Sequence, residues 1–180
     1  MSLNFNQSYL IQGNAGSTPS PYIKVNEEGH LVAGQEDRPA NTQEDFLDYV
    51  FKIVEDPSKA PDDGNMGLFS ESRRQYVNLF EENDLFIVTA LSDEINGYSI
   101  PNNGEFYNVI FSWTSYINQY DQTVNEYQLM SLQSTDENTQ VTDLEAANED
   151  DKNEPPQKWV FTEVEPDEMD QVVITSKSGS

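Results

Sequence analysis

Few residues of this chain are equipped for catalysis. It has one histidine, His30, and no cysteine. A cysteine nucleophile, a disulfide framework and a thiolate metal site are therefore excluded. A Ser–His–Asp arrangement needs only one histidine, but no Gly-x-Ser-x-Gly turn nominates a serine. His30 closes the turn sequence Asn26-Glu27-Glu28-Gly29, where a solvent-facing imidazole is the ordinary outcome. Zinc prefers His and Cys ligands, and a single His does not complete a conventional site. Calcium needs oxygen ligands spaced around a tight loop. Asp62-Asp63-Gly64-Asn65 and Glu149-Asp150-Asp151 supply oxygens without that spacing. Gly13-Asn14-Ala15-Gly16-Ser17-Thr18 is rich in glycine but lacks the Lys–Ser/Thr ending of a phosphate loop. No catalytic residue, metal ligand or cofactor is expected. A small carboxylate-based hydrolase stays open as a third reading, because 33 acidic residues make some carboxylate pair inevitable.

Charge is the stronger signal. The 180 residues carry 9 Lys+Arg against 33 Asp+Glu, a net charge of −24. Direct nucleic-acid binding needs a basic patch, and membrane spanning needs an apolar run of about 20 residues; the sequence has neither. An acidic surface suits solubility, and it also complements a basic partner. The acids Asp45, Asp48, Asp62, Asp63, Glu81, Glu82 and Asp84 would lie together on the outside of a helical layer, and they are the predicted partner-binding face. Residues 99–133 hold Glu105, Asp121 and Glu126 but neither Lys nor Arg. Such an amide- and hydroxyl-rich stretch resembles adaptable contact surfaces.

The elements that would position these groups follow from periodicity. Residues 1–21 read as an extended arm and linker, with Asn14–Pro21 rich in turn formers. Tyr22–Val25 and His30–Ala33 predict a hairpin. Residues 42–56 predict a helix, with Thr42 as cap and Phe46, Leu47, Val50, Phe51 and Val54 as its apolar stripe. A second helix is predicted from Ser70 to about Glu82. Leu85–Leu91 reads as a buried strand, and Glu105–Ile117 with Val124–Gln133 as a long antiparallel hairpin. Tyr107, Val109, Phe111, Trp113 and Ile117 would share its core face. Residues 134–156 read as an acidic flexible linker, and 157–180 as a C-terminal strand pair with a short tail, Lys158–Val164 with Gln171–Thr175.

The expectation is an α+β fold: two helices packed on a mainly antiparallel sheet, with an extended N-terminal arm and an acidic linker before the last strand pair. The core would span residues 22–133, completed by the last strand pair. The expected function is a non-enzymatic acidic protein-interaction module, as in a component of a larger assembly such as a virus particle. A nucleic-acid-mimicking inhibitor of a DNA- or RNA-binding protein is the alternative. Its partner would be a protein with a basic surface, with self-association allowed, in the cytoplasm of the producing or host cell.

Overall fold

The computed structural model describes residues 3–61, 64–83, 86–104, 106–144 and 149–178. In chain order the strands are β1 (Ser8–Gln12), β2 (Ile23–Val25), β3 (Leu31–Ala33), β4 (Val50–Glu55), β5 (Met66–Ser70), β6 (Gln75–Asn83) and β7 (Phe86–Ser92). They continue as β8 (Gly97–Tyr98), β9 (Phe111–Ile117), β10 (Thr123–Ser131), β11 (Thr142–Leu144) and β12 (Val160–Glu163). One α-helix, α1 (Pro166–Ser178), follows. All the named strand pairings are antiparallel, as the sequence predicts.

Six of these strands close on themselves. β12 pairs with β1, β1 with β4, β4 with β5 and β5 with β8. Ser99, just after β8, exchanges backbone hydrogen bonds of 2.9 Å with Phe111 at the start of β9. Asn108 exchanges bonds of 2.8 and 2.9 Å with Trp159, just before β12. The ring therefore closes without an open edge, the arrangement that removes unpaired backbone groups from a sheet. Alternate residues fill it. Tyr9, Ile11, Phe51, Ile53, Leu68 and Phe161 belong to one buried cluster, which Trp159 and Tyr98 also enter.

Three hairpins, β2–β3, β6–β7 and β10–β11, cap the ring. Their inner strands meet in a triangle: His30 bridges Ala90, Val88 pairs with Thr142, and Gln140 bridges Val32. Each of the three segments contributes two residues spaced two apart, so three copies of one hairpin geometry meet about a pseudo-threefold axis. His30 belongs to this junction. Its Nδ1 lies 2.8 Å from the Gln140 amide nitrogen, which makes it a structural group.

The two predicted helices are corrections. Residues 46–49 form one 3-10 turn, and Val50–Glu55 then runs as β4. Val50 packs in one cluster and its neighbour Phe51 in the other, the two-sided alternation of a strand. Aromatic and β-branched residues dominate Tyr49–Val54, which favours strand; a 3-10 turn running into it mimics helical spacing. The second helix is also absent. Residues 71–74 turn through Arg74 (φ 58°), and the chain returns as β6.

The N-terminal stretch is not an arm, because β1 is the central strand of the β12–β1–β4 set, with Tyr9, Leu10 and Ile11 buried. The acidic segment 134–156 contributes β11 and two 3-10 turns. The last strand pair is a strand followed by a helix. Pro166 opens α1 with Asp167 and Glu168 in its first turn, where a missing N–H and negative charge are both favoured. Met169 and Val172 of α1 pack with Leu10, Tyr22, Phe46, Tyr49, Val50 and Val164 on the outer face of the ring. Arg38 clamps the helix through two bonds to Glu168, 3.0 and 3.1 Å. No helix among the described residues is long and apolar enough to cross a membrane.

Candidate functional site

The described members of the predicted acidic face fall on two different elements. Asp45 lies before the 3-10 turn and is paired with Lys24 at 3.0 Å, with Gln43 donating to its other oxygen at 2.7 Å. Asp48 is half-buried within that turn. Glu81 and Glu82 lie at the far end of β6, on a different hairpin. Asp62, Asp63 and Asp84 lie outside the described residues. The helical layer that was to carry these charges is replaced by strands. The aromatic face of β9 is likewise split. Val109 is buried in the ring, but Ile117 is 71% exposed where the hairpin leaves it; the Trp113 side chain lies outside the described residues.

A groove of about 260 Å³ opens instead where β5, β8 and β9 meet at one end of the ring. Pro61, Met66, Ile100, Pro101 and Phe111 form its apolar walls, with Tyr98 beneath them. Tyr98 is fixed by its hydroxyl, which donates to the Val77 carbonyl at 3.0 Å. Two polar side chains, Asn65 and Ser99, also line it. Among the described residues neither the Asn65 amide nor the Ser99 hydroxyl has a hydrogen-bond partner within the protein, and both stay open to the groove. Polar groups without an internal partner that face a groove are free to bond a ligand there.

The groove is held rigidly. Asp56, 1% exposed, accepts Ser58 N–H at 3.0 Å, Ser58 Oγ–H at 2.6 Å and Gly97 N–H at 3.0 Å. Its own N–H donates to the Asn65 carbonyl at 2.8 Å, and Lys59 reaches Asn96 Oδ1 and the Gly97 carbonyl, each at 3.0 Å. Burial pushes the Asp56 carboxyl up. The Ser58 and Gly97 hydrogen bonds and the Lys59 charge outweigh it, so the group is held below its usual value. The loop and β8 touch through glycines: a Cβ on Gly97 would sit 2.5 Å from the Gly64 carbonyl oxygen, and Gly64 has φ +85°.

A second, more polar cleft of about 500 Å³ lies between residues 34–37 and 135–137, with Gln35, Glu36, Asp37, Thr135 and Glu137 around it. It holds carboxylates but no aromatic wall. No group of three or more potential metal-ligating side chains occurs among the described residues.

No family model matches the sequence, and no curated protein matches it. Solved structures do. A Macrolepiota procera ricin B-like lectin in complex with lactose superimposes with a TM-score of 0.58 at 13% identity, covering 89% of this chain and 98% of the other. The Rhizoctonia solani agglutinin gives 0.60 at 13% identity, over 91% and 99%. The chain has a β-trefoil fold. In the trefoil, the closed ring and its three capping hairpins are the two layers traced above. The α+β expectation is thereby overturned, and these neighbours are a lectin and an agglutinin, neither a virion component nor a nucleic-acid mimic. Asn65, Ser99 and Phe111 were not singled out as a site from the sequence. Asn65 was visible only as the end of an acidic turn, and nothing local ties it to residues beyond β8.

Proposed function

We propose that this protein is a non-enzymatic carbohydrate-binding protein that holds one neutral sugar ring in the groove at Asn65, Ser99 and Phe111. The observation that carries the reading is the Asn65 amide, without an internal partner and open to the groove, beside an apolar wall. A pyranose has an apolar C–H face and a rim of hydroxyls, and this groove offers one surface for each. Small-ligand sites combine mostly apolar walls with a few fixed polar groups in this way. The structural likeness to a lectin solved with lactose supports the same class of ligand. A net charge of −24 disfavours sialylated or sulfated glycans. The test is a glycan array of neutral and anionic sugars, followed by titration of wild type, Asn65→Ala and Phe111→Ala. Binding of neutral sugars that both substitutions weaken at least about tenfold supports the reading, a loss of ~1.4 kcal/mol. No binding, or binding that ignores both changes, refutes it.

A second reading, an acidic module that binds a basic protein, is favoured by that same net charge.

A further inference from the structure

We infer that the β9–β10 arm is a docking finger for a basic protein, with Ile117 and Tyr120 at its tip inserting into an apolar pocket rimmed by Lys or Arg. The inference rests on the protein-partner reading and names a surface for it.

The tip of the arm is open to solvent, with residues 119–123 exposed. From Ser112↔Gln128 to Ile117↔Thr123, the register of this hairpin pairs β9 with β10. Among the described residues, β10 pairs with β11 from Leu129 to Ser131. At about 3.4 Å per residue these six pairs make a ribbon about 20 Å long. The tip of this ribbon is braced. Asn118 Oδ1 accepts Tyr120 N–H at 2.9 Å and Gln122 N–H at 3.0 Å. Asn118 N–H donates to the Gln122 carbonyl at 3.0 Å, and its amide reaches Gln122 Oε1 at 3.2 Å. Asp121 completes the turn with φ 57°.

That bracing displays apolar surface. Ile117 is 71% exposed and Tyr120 73%, three positions apart on one tight tip. Single exposed apolar residues are ordinary. Two on a locked tip, one of them a tyrosine, make a preordered anchor, which costs little entropy to bind. Charge specifies the partner. Residues 112–128 contain Asp121 and Glu126 and no cation, so the only charges on the finger are acidic. An apolar pocket with a cationic rim complements it.

The test places a photo-crosslinking phenylalanine analogue at Tyr120 in the full chain, and at exposed Glu27 as a control. Each protein is mixed with lysate of the source organism at low salt, with unlabelled wild type or Ile117→Ser/Tyr120→Ser as competitor. Circular dichroism checks that the double variant folds. The expected result is a basic protein crosslinked from position 120 and not from 27, less so at high salt. Wild type should displace it about 30-fold better than the double variant, the scale of a central anchor. Equal competition, or a basic protein retained without any adduct at 120, overturns the finger and leaves the protein-partner reading standing. Retention of no basic protein overturns both.

Discussion

The Asp56 carboxylate accepts the Gly97 backbone N–H at 3.0 Å, joining points 41 residues apart in the chain. Through this bond and the one from Asp56 N–H to the Asn65 carbonyl, the loop that carries Asn65 is fixed against the strand that leads to Ser99. The groove therefore depends on a residue that does not line it.

Asp56→Ala leaves the Gly97 N–H and the Ser58 hydroxyl without their acceptor in a buried place. Each unsatisfied group costs about 1–3 kcal/mol. Urea denaturation should show a loss of at least ~2 kcal/mol, with the slope of the transition unchanged. Sugar binding should fall as well, since Asn65 loses its anchor.

The same carboxylate sets an acid limit. Its value in the folded protein lies below that of the unfolded chain, so its contribution is complete above about pH 3.9, the ordinary Asp value. Below that the unfolded state takes up the proton first, and the contribution drains away as pH falls through the folded value. Asp45, lowered against its own burial by the Gln43 and Lys24 contacts, acts in the same direction. Stability measured by denaturation from about pH 5 downward should decline, and Asp56→Asn should decline less steeply than wild type. Equal slopes would remove Asp56 from the account.

Asn65→Ala separates binding from folding. The amide makes no internal hydrogen bond, so its removal leaves no partner stranded. The melting temperature should stay within a few degrees of wild type, on the scale of ~1 kcal/mol, while titration with the best neutral sugar shows at least tenfold weaker binding, about 1.4 kcal/mol. A large drop in stability would instead make Asn65 a structural residue.

Leu10 reports on the helix. It is fully buried between β1 and the α1 layer, among Tyr22, Phe46, Val50 and Val172. Leu10→Ala should cost about 2–5 kcal/mol, the range for a large-to-small change at a packed position. Because the cavity opens under α1, limited proteolysis should cut near residues 166–178 sooner than in wild type. Protection equal to wild type would show that the polar contacts of α1, Arg38 with Glu168 and Asn41 with Glu168 and Gln171, suffice to dock it.

Local chemistry in the sequence was enough to determine the hairpin at residues 22–33, the strand β7, the long β9–β10 hairpin and the antiparallel pairing. In each, a period of two ends at a turn signal a few residues away, and pairing neighbours in sequence needs no distant information. It also determined the charge and the exclusion of cysteine chemistry. Residues 42–56 were misread because Val50 and Phe51 face two different clusters, and only the surrounding layers decide that both faces are buried. Val172, Val173 and Ile174 read as strand by composition, although the Pro166-Asp167-Glu168 opening was a helix signal; the apolar face on Leu10 and Val50 decided the matter. The groove was decided entirely by tertiary structure. Asn65, Ser99 and Phe111 lie in separate stretches of chain, and they meet only because ring closure pairs Ser99 with Phe111 while Asp56 draws the loop before Asn65 onto β8.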